Sequence, residues 1–258
     1  GLTMAFANQC AGIVATKADG TTIHGRNLDL GADYKWTEKI AHYVEYTRGG
    51  EKVARGIAFF GTVGIHTGAH LGANEWTIEQ NTRPQNVTGP EWVAGTLKAL
   101  EAGGLPNQLL TRKIVLETDT FVDAVEKVST TKWLAPQYFV LAGATEFQGA
   151  VITVGRAEPA GGFYDIQMLN KAAGKWCLVQ TNDEPWEEST DDRRPHAELM
   201  MKLQKEKFGI VDDNVMIALR SMPTCNPNTL FSWVITPSTD LMLLDMGDCA
   251  NSPLPGER

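Results

Sequence analysis

Cys10 is followed by an apolar run, Ala11-Gly12-Ile13-Val14-Ala15, and then by His24-Gly25-Arg26-Asn27-Leu28-Asp29. A thiol attacks carbonyls as its thiolate, and one of ordinary acidity is only ~3% ionised at pH 7. A guanidinium beside it favours the thiolate, and a nearby carboxylate can hold a base or an amine in place. Residues 11–16 predict a buried strand, Asp19-Gly20 a hairpin turn and 21–28 the returning strand. That hairpin would bring Arg26 and Asp29 back beside Cys10. By itself it is read more simply, as a small buried hydrophobe next to a structural ion pair.

Much further along come Thr181-Asn182-Asp183 at the end of a strand, Trp186, and Asp191-Asp192-Arg193-Arg194-Pro195 opening a helix. Alone, Asn182 reads as a turn residue, and Asp191-Asp192 as an N-terminal helix cap with a solvated charge cluster. Taken together with Cys10 and residues 24–29, the set resembles the acid ceramidase and N-acylethanolamine acid amidase family. Gly61-Thr62-Val63-Gly64, Thr67-Gly68, Leu134-Ala135-Pro136 with Tyr138, Gly149-Ala150-Val151-Ile152-Thr153 and Val179-Gln180-Thr181-Asn182 fall in the order that family shows. The resemblance therefore runs over nearly the whole chain.

The resemblance implies an α+β protein with a four-layer αββα sandwich, the N-terminal-nucleophile hydrolase fold. In that fold the nucleophile is residue one of a mature chain freed by self-cleavage. One domain over residues 1–258 is expected, with 1–9 a residual upstream segment and 10–258 a β-subunit-like catalytic domain. The implied reaction is hydrolysis of a fatty-acyl amide, an N-acylethanolamine or a ceramide, through a Cys10 thioester after cleavage between Gln9 and Cys10. Arg26 would stabilise the thiolate and Asp29 orient the amine. Asn182 would be an oxyanion donor, with Arg193 fixing Asn182 or a carboxylate. Trp36, Phe59, Trp76, Trp92 and Tyr138 are candidate lining for an acyl groove, although any one of them is more simply explained as core.

The resemblance further implies an upstream α-segment or separate chain, transient contact with a membrane surface, and a lysosomal or other secretory-pathway compartment. Two features depart from the family. Thr82 stands where the family carries an acidic residue, and the spacing from Asn182 to Arg193 is slightly short. The rival reading is a non-catalytic homologue that serves as a structural or interaction subunit of a larger assembly. The Gln9–Cys10 bond separates the two, because an uncleaved Cys10 has no free α-amine.

The elements that must position these residues follow from periodicity. Strands are expected at 11–16, 21–28, 38–48, 52–60, 62–66 and 74–80. Helices follow at 91–101, 107–117 and 120–130, then strands at 136–142, 149–155, 162–169 and 175–181. Helices at 191–207 and 212–220 and strands at 229–236 and 239–246 close the chain.

At 258 residues with a net charge of −8, the chain is long enough for one substantial core and lacks the basic runs of a nucleic-acid binder. No apolar run approaches the ~20 residues that span a bilayer. His66 and His70 have metal-like spacing, but Gly68 and Gly72 argue against the helix that would join them, and no acidic third ligand is adjacent. Neither a metal nor a cofactor is expected. Of the four cysteines, Cys177 reads as a buried strand position and Cys249 lies in a tail where a bridge can form; the pairing among Cys177, Cys225 and Cys249 is open. Asn86-Val87-Thr88 is a glycosylation sequon.

Overall fold

The structure is a computed structural model that describes residues 10–84, 89–156, 165–239, 241–246 and 249. The chain begins with β1 (Ala11–Thr16), β2 (Thr22–Asp29), β3 (Ala41–Arg48), β4 (Glu51–Phe59), β5 (Thr67–His70) and β6 (Trp76–Thr82). Three helices follow, α1 (Gly89–Glu101), α2 (Asn107–Glu117) and α3 (Phe121–Thr130). Then come β7 (Gln137–Gly143), β8 (Gly149–Val154), β9 (Asp165–Met168) and β10 (Cys177–Gln180). Helices α4 (Arg193–Phe208) and α5 (Asp212–Arg220) precede β11 (Thr229–Thr236) and β12 (Leu241–Asp245).

These strands make two antiparallel sheets, one ordered β10-β1-β2-β11-β12 and the other running β3 through β9 in chain order. Alternation along each strand sends one set of side chains to a helical layer and the other to the facing sheet. Ile13, Ala15, Ile23 and Val234 pack on Ala197, Met201, Val215 and Leu219 of α4 and α5. Ile78, Phe139, Leu141 and Ile152 pack on Ile114, Val115, Phe121 and Val128 of α2 and α3. Between the sheets lie Val14, Val140, Val151 and Leu178 in one cluster, and Cys10, Leu28, Ile57, Ala69 and Trp233 in another. A β-carbon at Gly25 would sit 2.6 Å from Val215 and 2.9 Å from Leu219, so glycine is what lets α5 ride close on β2.

The Asp19-Gly20 turn forms as expected, with Gly20 at φ +91° and the Asp19 carboxylate accepting from Thr21 N–H at 2.9 Å. Residues 62–66 are not a strand. Gly61 takes a positive φ of +86°, which turns the chain out of β4, and Gly64 fits tightly under Gln108; pairing resumes only at Thr67. The strand expected from residue 38 starts at Ala41, because Ala32–Ile40 forms a 3₁₀ helix. Helix α4 begins two residues later than expected, since Asp191 takes the Arg193 N–H at 2.8 Å instead of joining the helix. Residues 162–164 of the expected 162–169 strand, Asn86 of the sequon, and Gln9 lie outside the described residues.

Candidate active site

Cys10 sits just ahead of β1, and β2 runs back beside it with Gly12 opposite Arg26. Alternation on β2 turns His24, Arg26 and Leu28 toward the facing sheet, while Gly25 and Asn27 turn toward the helices. Arg26 Nη2 therefore reaches the Cys10 sulfur at 3.4 Å and also donates to the Gln80 carbonyl at 3.2 Å. Its Nη1 donates to the His66 carbonyl at 3.3 Å, so the guanidinium is held by backbone oxygens of β6 and of the residue just before β5.

A second arginine closes the site from the helix side. Arg193 Nη1 donates to the Cys10 carbonyl oxygen at 3.0 Å, and Nη2 donates to Asn182 Oδ1 at 3.1 Å. Asp191 grips the same guanidinium from Nε and Nη2, at 3.0 and 2.6 Å. Arg193 also lies 3.8 Å from Asp29. Asn182 is steadied by donating its Nδ2 to the Thr82 carbonyl at 2.8 Å. Cys10, Arg26, Asp29, Asn182 and Arg193 thus converge, although they come from the residue before β1, from β2, from the loop after β10 and from the start of α4.

Burial controls the ionisation of the cluster. Cys10 is 1% exposed, and burial pushes its thiol above the ordinary value, with the Arg26 charge opposing and Asp29 and Glu79 adding to the rise. Burial lifts Asp29 to about 6, against hydrogen bonds from Thr229 and Asn226 and the charges of Arg193 and Arg26. His24 is held neutral, down to about 3, by burial and by Arg26.

The candidate aromatics disperse. Phe59 is half-buried beside the apolar cluster that contains Cys10, Leu28, Ile57 and Phe231. Trp36 is 57% exposed on the 3₁₀ helix. Trp76 faces α2 and α3, on the far side of its sheet from Cys10, and donates to the Thr118 carbonyl at 2.9 Å. Trp92 lies on α1 beneath the Arg156 guanidinium. Tyr138 is buried, with Arg83 and Glu184 against its hydroxyl. Grooves of about 560 and 340 Å³ flank β10, the larger between Trp176 and α4, and none of the five converging residues lines either one.

Three participants escaped the sequence reading: Glu79, which contacts Arg26; Asn226, which donates to Asp29 Oδ2 at 2.8 Å; and Asp191 as the clamp on Arg193. Glu79 carries a readable signal, a lone acid in a strand whose neighbours on the same face are Thr77 and Asn81. Asn226 carries none, because it sits in a loop whose place is fixed by the Cys225–Cys249 disulfide. His66 and His70 serve other purposes: His66 offers its carbonyl to Arg26, and His70 Nδ1 lies 2.9 Å from the Val115 carbonyl. No group of three or more metal-ligating side chains occurs among the described residues.

Two facing antiparallel sheets between helical layers, with a cysteine at the head of an inner strand, define an N-terminal-nucleophile hydrolase fold. The chain superposes on a Caenorhabditis elegans N-acylethanolamine-hydrolyzing acid amidase ortholog with a TM-score of 0.78 and 27% identity, over 89% of this chain and 93% of that one. It is 30% identical to acid ceramidase of Macaca fascicularis over 95% of its length, and 33% identical to N-acylethanolamine-hydrolyzing acid amidase of Mus musculus over 73%. The chain is thus a homologue of the acid ceramidases and the N-acylethanolamine-hydrolyzing acid amidases. It spans 63% and 49% of the length of those two relatives. No protein-family model matches it.

Proposed function

We propose that this chain is the catalytic part, from residue 10 onward, of an amidohydrolase that cleaves a fatty-acyl amide, an N-acylethanolamine or a ceramide. The observation that carries this reading is the grip on Cys10 from both ends: Arg26 at the sulfur and Arg193 at the carbonyl oxygen, with Asn182 on the same guanidinium. A merely structural cysteine needs neither contact. Homology to enzymes named for these two substrates supports the substrate class.

In the proposed sequence, the Cys10 sulfur first attacks the Gln9 carbonyl, and the Gln9–Cys10 amide becomes a thioester as the nitrogen leaves with a proton. Water hydrolyses that thioester, giving a Gln9 carboxylate and a free thiol and α-amine on Cys10. A terminal α-amine, of ordinary pKa ~8, can then take the thiol proton. The thiolate attacks the substrate carbonyl, and the tetrahedral oxyanion is met by preformed donors, Asn182 among them. Such a donor is worth about 2.7–4 kcal/mol in comparable hydrolases. Collapse expels the amine, which carries away the proton held by the α-ammonium, and a second water releases the fatty acid. Asp29 holds the α-amine. Arg193 positions Asn182 and Asp29 and is a positioning residue.

The half-buried Phe59 beside Leu28, Ile57 and Phe231 supports an apolar acyl path that starts at the sulfur. The Cys225–Cys249 disulfide supports an oxidising, secretory-pathway compartment. No helix among the described residues is long and apolar enough to cross a membrane. Acid quenching during turnover of a fatty-acyl amide, followed by peptide mass analysis, tests the reading. An acyl adduct on the Cys10 peptide is expected. Turnover with no adduct there, and undiminished in Cys10→Ala, overturns it.

A further inference from the structure

Arg26 touches a second ionisable group on another edge of its guanidinium. Its Nε lies 3.7 Å from Glu79 Oε2, and both side chains are fully buried. Room for that carboxyl comes from Gly12, where any β-carbon would collide with it. Asn81 Nδ2 donates to Glu79 Oε1 at 3.2 Å. Glu79 Oε2 and Arg26 Nε are each without a hydrogen-bond partner, as is His24 Nε2, which faces Glu79 Oε2 at 3.8 Å.

The hydrogen bonds around His24 bear on the protonation of this group. Thr77 has one hydroxyl hydrogen, and it goes to the Ala142 carbonyl at 3.3 Å. Thr77 Oγ1 must then accept from His24 Nδ1, 2.8 Å away. A neutral His24 with its proton on Nδ1 turns a bare lone pair on Nε2 toward Glu79 Oε2. A carboxylate there would face that lone pair unfavourably, whereas a neutral carboxyl would not.

We infer that Glu79 is a positioning residue for the nucleophile, which leaves the Arg26 charge to the Cys10 sulfur while neutral and draws that charge away once ionised. This rests on the reading of Cys10 as nucleophile and deepens it. The groups around Glu79 are His24 and Arg26 of β2, Asn81 of its own strand, Gly12 of β1, and its sheet neighbours Thr67 of β5 and Val140 of β7. Of these, Arg26 carries the charge and His24 is the other ionisable side chain. Burial pushes the Glu79 carboxyl up to about 8, against Arg26 and Asn81, and its charge in turn raises the Cys10 thiol. An acidic compartment keeps Glu79 neutral, so the device favours the reactive sulfur where the carboxyl holds its proton.

The thiolate absorbs in the ultraviolet, so the titration of Cys10 can be read as the difference between the protein and its Cys10→Ser variant. The same difference is then measured in a Glu79→Gln background. The midpoint is expected to fall by about one pH unit in Glu79→Gln, from loss of a like charge across Arg26. An unmoved midpoint in folded Glu79→Gln overturns the inference. Should that variant fail to fold, the infrared spectrum of the wild-type protein decides: a protonated-carboxyl band is expected at about pH 7, where Asp29 is ionised, and its absence overturns the inference. Neither readout requires turnover. A chain that shows the shift yet never forms an acyl-enzyme keeps the coupling of Glu79 to the Cys10 thiol through Arg26 and loses the proposed function.

Discussion

Arg193 Nη1 donates to the carbonyl oxygen of Cys10 at 3.0 Å, tying the first residue of α4 to the residue just before β1 across 183 positions of sequence. The contact fixes the backbone orientation of Cys10, while Arg26 fixes its side chain. Both arginines are buried, so removing either strands neighbours that depend on it.

Arg193→Gln should therefore slow acyl-enzyme formation by about a hundredfold, on the scale of losing one oxyanion-hole donor. Arg193→Lys should recover only part of that loss, because an ammonium cannot bridge Cys10, Asn182 and Asp191 as a planar fork does. Single-turnover kinetics with a fluorogenic fatty-acyl amide checks this. An Arg193→Gln protein as fast as wild type would count against the positioning role.

Stability should decline between about pH 6.5 and about pH 8. The Glu79 carboxyl rises from 4.5 to about 8 on folding, so the folded state holds a proton that the unfolded chain releases, and stability is lost as pH rises toward 8. Asp29, raised from 3.8 to about 6, acts the same way at lower pH. His24, depressed from 6.5 to about 3, and His66, also depressed, act oppositely below 6.5, where the unfolded chain takes up their protons. The carboxyl effect is therefore unopposed above about 6.5. Thermal melts across this range should show Tm falling with pH in wild type and nearly level in Glu79→Gln. An equal fall in both would place its origin elsewhere.

The disulfide should matter to the site as well as to stability. Cys225–Cys249 flanks Asn226, and the sulfur of Cys249 lies 3.1 Å from the Asn226 carbonyl. With a sequence separation of 24, Cys249→Ser should cost about 3.5 kcal/mol in denaturant unfolding. Asn226→Ala should leave the bridge and most of the stability intact but slow acyl-enzyme formation, because Asp29 Oδ2 loses its 2.8 Å donor. A variant that melts lower but reacts at the wild-type rate would confine Asn226 to a packing role.

Phe59→Ala should discriminate among substrates. Phe59 edges the apolar cluster at Cys10, so its loss removes contact from a long acyl chain but not from a short one. At ~0.8 kcal/mol per buried methylene, a contact of two methylenes changes kcat/KM roughly tenfold. Comparing hexadecanoyl with hexanoyl amides of one amine reads this directly. An equal loss on both would place Phe59 off the acyl path.

Much of this arrangement is legible in sequence because it depends on period and punctuation. The β1–β2 hairpin follows from an apolar run, Asp19-Gly20 and the alternation that puts Arg26 inward. Asn182 and Arg193 are legible only as part of an ordered motif set, since nothing local distinguishes them from a turn and a helix start. What escaped was fixed by other parts of the chain. Residues 62–66 look like a strand, but Gly61 turns away and Gly64 must tuck under Gln108. Trp76 looks like groove lining, yet one step of strand parity turns it to the helices. Glu79 gains its meaning from a glycine, a histidine and an arginine on two other strands.

The proposed mechanism requires cleavage of the Gln9–Cys10 bond. An intact mass measurement under denaturing conditions, before and after incubation across about pH 4–8, reads that bond directly. Wild-type protein should lose the mass of residues 1–9 and leave a chain beginning at Cys10, while Cys10→Ala stays whole and Cys10→Ser is cut more slowly. A wild-type chain that remains folded and whole at every pH would contradict the proposed mechanism, and the fold would then serve a structural role with Cys10 unreactive.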